Sequence, residues 1–134
     1  MAKFTKKKIE KIATAIREFL DEHYLNGDCR IYFNGICWEH GSEDEPMTWD
    51  KEAKDYIDVP YRTGWKTLEN EDPKRYFEYA TGFISMSFEG SLYDVLNGWS
   101  QRDFRLQDEF LTMLEKYDCY YELGNAWNLS IYES

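Results

Sequence analysis

Cys29 and His40 are the two side chains whose types and spacing come nearest to doing chemistry. They stand at opposite ends of a segment that reads as a β-hairpin, which sets a thiol facing an imidazole, and His23 lies at the end of the helix that precedes them. A cysteine beside a histidine is the arrangement of a nucleophile and its base. No third orienting group and no oxyanion loop accompany the pair, and a cysteine among apolar neighbours commonly serves only as a small buried hydrophobe. His23, on an apolar stripe, is expected to be a hydrogen-bonded core histidine. Carboxylates are numerous enough for folding to assemble an acid–base pair like that of a glycoside hydrolase, but no spacing in the sequence marks two of them. A small hydrolase using carboxylates or Cys29 and His40 is therefore the least favoured reading, and no catalytic residue is assigned.

Metal and nucleotide chemistry find even less. Cys37 and Cys119 do not join the trio at finger spacing, and the hairpin turns Cys37 to the face opposite Cys29, so zinc is not expected. The run Ser42-Glu43-Asp44-Glu45 lacks the alternating oxygen ligands and central glycine of a calcium loop. Asn97-Gly98 and Gly124-Asn125 stand alone, without the glycine pattern that cradles phosphate. The sequence calls for no cofactor.

The elements that position these residues follow from periodicity. Ile9, Ile12, Ala13, Ile16, Phe19, Leu20 and His23 recur at helical steps between Thr5 and Leu25, with Thr5 as N-cap and Gly27 as the left-handed closing residue. Cys29 to His40 is a hairpin about Asn34-Gly35, a dipeptide suited to a type I′ turn. That register pairs Phe33 with Ile36, Ile31 with Trp38 and Cys29 with His40 on one face. On the other face it pairs Tyr32 with Cys37 and Arg30 with Glu39. Tyr56 to Val59 is a short strand, and Asp72-Pro73 opens a short helix running to Ala80. Ile84, Met86 and Phe88 share one face of a further strand. Ser91 caps a helix bearing Leu92, Val95, Leu96 and Trp99, and Ser100 caps a longer one presenting Leu106, Phe110, Met113, Leu114 and Tyr117.

The last segment, Cys119 to Tyr132, is a second hairpin. A two-residue turn at Gly124-Asn125 mixes apolar and charged side chains on both surfaces. A loop of three or five residues instead pairs Leu123 with Trp127, Tyr121 with Leu129 and Cys119 with Ile131, leaving Glu122, Asn128, Tyr120 and Ser130 on the other surface. Residues 1–134 thus read as one α+β domain: an antiparallel sheet built from two β-hairpins plus at least one further strand, with helices packed mainly on one face.

Charge narrows the partner. The net charge is −10, and residues 1–11 carry five lysines against Glu10, so −14 remains for the rest once +4 is set apart. Such a body repels nucleic-acid phosphates and anionic membranes, so ordinary nucleic-acid binding and membrane attachment are not expected, and acidity by itself often serves only solubility. No run is long and apolar enough to span a bilayer, an apolar leader is missing, and three irregularly spaced cysteines form no disulfide framework. The expected compartment is the cytoplasm.

The function expected from this balance is that of a small acidic intracellular domain that docks on a basic protein surface. Clustered carboxylates at Glu43, Asp44, Glu45, Asp55 and Asp58 would steer association, with Trp49, Tyr61, Trp65 and Tyr120 as aromatic anchors. Small acidic inhibitors of this general composition are encoded by phage and other mobile elements and occupy nucleic-acid-binding grooves, though no motif ties this chain to one. The alternative is a self-associating structural domain, a homodimer whose exposed hairpin edges pair between subunits.

Overall fold

The structure, a computed structural model, describes residues 4–41, 48–57 and 65–134. Its first element follows directly from the apolar stripe: helix α1, Lys6–Glu22, buries Ile12, Ala13, Ile16, Phe19 and Leu20, and the Thr5 hydroxyl accepts from the Lys8 N–H as N-cap. The helix stops before the expected Leu25. Its end is closed by Tyr24 at φ +56°, not by Gly27: the Leu25 N–H donates to Leu20 O at 2.8 Å and the Tyr24 N–H to Asp21 O at 3.3 Å. This is a Schellman closure with a tyrosine in the left-handed position that glycine usually holds.

The chain then forms β1, Cys29–Phe33, and β2, Ile36–Glu39, in the register the sequence implies, with Asn34 and Gly35 at φ +49° and +79° in the turn. β3, Thr48–Asp50, and β4, Asp55–Ile57, make a separate two-stranded sheet; the strand expected at 56–59 lies partly outside the described residues. β5, Lys66–Leu68, was not expected, and it adds to the outer side of β2. Asp72 caps the next segment as expected, but only a single 3₁₀ turn, Pro73–Arg75, forms there in place of a helix to Ala80. Phe77 and Ala80 then fold inward onto the sheet.

β6, Ile84–Phe88, joins the two hairpins: it pairs with β1 on one side and with β8, Asn128–Glu133, on the other. Helix α2, Ser91–Leu96, has Gly90 and not Ser91 at its N-cap position, with no side-chain cap hydrogen bond, and a Cβ at position 90 would press on Gly27 O. Trp99, expected on the apolar face, is 87% exposed. Helix α3, Gln101–Glu115, begins at Ser100 with a reciprocal capping box to Asp103 and buries Leu106, Phe110 and Leu114. β7, Cys119–Asn125, ends the sheet, giving the antiparallel order β5-β2-β1-β6-β8-β7.

The terminal hairpin keeps the expected faces but not the expected partners. Leu123 pairs with Leu129 and Tyr121 with Ile131, two residues away from the register read in the sequence, and Cys119 stands opposite Glu133. Asn125 and Asn128 close a two-residue turn, and a bulge at Gly124 takes up the remaining residue. A shift of two preserves sidedness because side chains alternate with period two. In this register Trp127 leaves the helix face and packs edge-on against Phe77, 5.6 Å between ring centroids.

The helices cover one face of the sheet. There Phe88, Phe110, Ile12, Ile16, Ile31, Met86 and Leu129 are among the fully buried side chains, each contributing roughly 1.5–3 kcal/mol by its removal from water. The second face is smaller and more polar, with Tyr32, Cys37, Phe77 and Ala80 in a separate cluster flanked by Leu68 and Trp127. Ser85 and Ser130 share a buried hydrogen bond on it. Among the described residues, no helix is long and apolar enough to cross a membrane.

Candidate functional site

The charged ends of α1 lie toward opposite ends of the sheet. At one end β1 and β8 begin and β2 and β6 finish, α1 arrives at its carboxyl terminus, and Asp21, Glu22, Asp28 and Glu89 are exposed. The Asp28 N–H donates to Gly41 O at 2.9 Å and the Glu89 N–H to Asp28 O at 3.3 Å, which holds these segments side by side. Lys6, Lys7 and Lys8 lie at the other end, where Asn34 in the β1–β2 turn donates to Lys6 O and Phe4 stacks on Phe83; the exposed Glu115, Asp118 and Glu133 lie toward that end as well. Not one described carboxylate is buried.

α1 sharpens this separation. A helix macrodipole favours acidic groups in the first turn and basic groups in the last, yet α1 has no acid in its first turn and no base in its last. Lysines crowd its positive end, and Asp21 and Glu22 its negative end. Side-chain charge and backbone dipole therefore add in one direction.

A cleft of about 210 Å³ opens at the acidic end, on the sheet face away from the helices. Arg30 from β1 and Glu39 from β2 stand on its floor, paired at 3.0 Å. Tyr76 and Phe77 form one wall, 6.0 and 5.9 Å from the Tyr32 ring, and Trp127 from the β7–β8 turn closes on Phe77. Asp28 and Glu89 border the same space. Burial pushes the Tyr32 phenol up to about 12 and the Cys37 thiol behind it up to about 11, so both stay neutral at physiological pH. The cleft has charged and aromatic recognition groups and no activated nucleophile among them.

Of the candidate chemical trio, His40 lines the cleft, and Cys29 and His23 are engaged elsewhere. The Cys29 thiol donates to Leu25 O at 3.2 Å inside the helix-side core. His40, 3% exposed, lies with Nδ1 3.0 Å from Gly41 O, and its ring packs edge-on to Trp65. His23, only partly buried at the end of α1, stacks against Phe19 with Nε2 3.7 Å from Glu109. Among the described residues, no group of three or more His, Cys, Asp and Glu could hold a metal ion.

Of the anticipated binding residues, Trp65 belongs to the acidic end: its indole N–H donates to Asp21 Oδ1 at 2.9 Å, and Arg17 lies over its ring. Asp55 is exposed in β4, and Trp49 stands in β3 opposite Tyr56. Tyr120 is half-buried beside Tyr132 toward the opposite end of the sheet, so it does not join this surface. Glu43, Asp44, Glu45, Asp58 and Tyr61 lie outside the described residues. Sequence reasoning placed Arg30 and Glu39 on the outward face but did not single out the cleft, because Tyr76, Phe77 and Trp127 reach it from segments distant in the chain. Tyr24, 83% exposed beside Asp28's turn, was also missed. Its signal was an aromatic residue where a helix-closing glycine belongs.

Comparisons with protein-family models, with curated proteins and with solved structures found no match to this chain.

Proposed function

We infer that the protein is a small acidic binding domain that docks through the acidic end of its sheet onto a basic protein surface. The observation that carries this reading is the reversed charge of α1, with Lys6, Lys7 and Lys8 at its start and Asp21 and Glu22 at its end. Each such placement costs a few tenths of a kcal/mol in the folded chain, and together they enlarge the molecular dipole that orients an approaching cationic partner. Tyr24 supports the same surface. A non-glycine residue in the left-handed region costs roughly 1 kcal/mol, and here the side chain that incurs the cost points into solvent.

A basic groove that otherwise holds nucleic acid is the partner surface such a domain fits, and inhibition by occupancy, as expected of a phage or mobile-element product, is the narrower form of this proposal. Cys29, Cys37 and Cys119 are all thiols, in keeping with a reducing cytoplasm. The test is binding of the intact protein to immobilised arginine-rich, neutral and acidic peptides across a salt series. Selective, salt-sensitive retention on the arginine-rich peptide is expected; equal retention on all three would overturn the reading.

The same polarity favours a second reading, association of copies with the acidic end of one against the lysine end of the next. β7, at the edge of the sheet, offers a further route to pairing. Light scattering separates this from the first: a monomer at micromolar concentration and low salt counts against self-association.

A further inference from the structure

The cleft at the acidic end has the chemistry of a receptor for one cationic side chain. It borders three carboxylates, Asp28, Glu39 and Glu89, against the single guanidinium of Arg30, which Glu39 already engages at 3.0 Å, and the buried His40 ring also lines it. Among the described residues no cation pairs with Asp28 or Glu89, so an anion entering here meets two carboxylates that repel it and a cation meets them as partners. At about 210 Å³ the space is smaller than the roughly 300–1,000 Å³ typical of cofactor and drug-sized sites, and it matches a side-chain terminus. Its lining is partly aromatic: the half-exposed Tyr76, with Trp127 and the edge of the largely buried Phe77, lines the same space as the acids, and a cation over an aromatic face gains attraction from the ring quadrupole. A planar guanidinium suits this combination better than an ammonium, since it stacks on a ring and donates in its own plane to a carboxylate at once.

We propose that the cleft receives one arginine side chain of the basic partner, stacked on the aromatic wall and hydrogen-bonded to Asp28 or Glu89. The proposal rests on the docking reading above and gives that surface its specificity: long-range charge steers the partner, and the cleft selects the residue that anchors it.

The experiment is a ¹⁵N NMR titration of the whole protein with Nα-acetyl-arginine amide, with the citrulline and lysine analogues as neutral and ammonium comparators. Saturable shifts are expected at the Trp127 indole N–H and at the Asp28 and Glu89 backbone N–H groups, weaker with lysine and absent with citrulline. The Glu89→Gln variant, altered at an exposed position, should bind the arginine compound roughly tenfold more weakly. Trp127→Leu should weaken it several-fold. Equal shifts from citrulline, or shifts confined to other surfaces, would sink the cleft assignment. If the arginine-rich peptide still docks in a salt-sensitive way while the cleft residues do not respond, the pocket is wrong and the docking face stands. Saturable cleft binding without retention on that peptide would support the pocket and contradict the docking face.

Discussion

The Arg30 guanidinium lies 3.0 Å from the Glu39 carboxylate, directly across the β1–β2 ladder, on the sheet face that the helices leave open. The two side chains keep about 46% and 29% of their surface exposed, so solvent screens the pair and its contribution to stability is small. A double-mutant cycle of Arg30→Ala and Glu39→Ala in denaturant should return a coupling of under about 1 kcal/mol. A coupling of several kcal/mol would mean that the pair is a structural clasp and not part of an open recognition surface.

Reversing the ends of α1 should improve the fold and harm the docking. Lys7→Glu with Glu22→Lys places an acid in the first turn and a base in the last, which should raise stability by about 1 kcal/mol in a denaturant melt. The same variant should associate more slowly with an arginine-rich peptide. Improvement in both properties would remove the reason given for the charge pattern.

Tyr24 makes an independent version of that test. Tyr24→Gly relieves a residue held at φ +56° and should stabilise the protein by roughly 1 kcal/mol, since glycine adopts this conformation freely. If the exposed ring is an anchor, peptide affinity falls while the melting temperature rises. An unchanged affinity would leave Tyr24 outside the interface.

Much of the fold was legible because local chemistry and burial agreed. Asn34-Gly35 fixed the first hairpin, and the sidedness of Ile84, Met86 and Phe88 fixed the central strand that joins it to the second. The terminal hairpin shows where that ends. Apolar alternation specifies which face a residue takes but leaves shifts of two undecided, and the choice fell to Trp127 meeting Phe77 and to Gly124, where a Cβ would strike Tyr79 and Asn128. The contacts with Phe77 and Tyr79 join segments about fifty residues apart. β5 carries little apolar signal because it is a short edge strand, exposed at Lys66 and Thr67. The cleft was half legible: Arg30, Tyr32 and Glu39 were assigned together to the outward face, whereas its aromatic wall comes from a turn that sequence reasoning made a helix.

The close passage of Gly82 over the β8 backbone gives a prediction about that wall. A Cβ at position 82 would collide with the Ile131 carbonyl, which is main chain and cannot swing aside. Gly82→Ala should cost roughly 1–3 kcal/mol, read as a lower denaturation midpoint. A neutral substitution would show that the 73–82 segment can lift from the sheet.

Alkaline pH should unfold the protein early. Burial raises Cys37 and Cys119 to about 11 and Tyr32 to about 12, above the ordinary values of 9.0 and 10.0 that apply in the unfolded chain. The unfolded state therefore loses protons first, so the stabilisation is complete below pH 9 and is lost as pH climbs through 11 and 12. Melting temperature should hold level from neutrality to about pH 8.5 and then fall, with Cys37→Ser showing a shallower decline. A flat profile to pH 11 would contradict the burial of these groups.

The central claim is that docking depends on where the charge sits and not on its total. Two triple variants of equal net charge separate these: Glu22→Gln, Asp28→Asn and Glu89→Gln at the acidic end, against Glu115→Gln, Asp118→Asn and Glu133→Gln toward the other. Association rates with an arginine-rich peptide should be measured from about 0.05 M to about 0.5 M salt. The account predicts that the first variant binds at least about tenfold more slowly than the wild type at low salt and loses most of its salt dependence, while the second keeps both. Equal slowing in the two variants would contradict it.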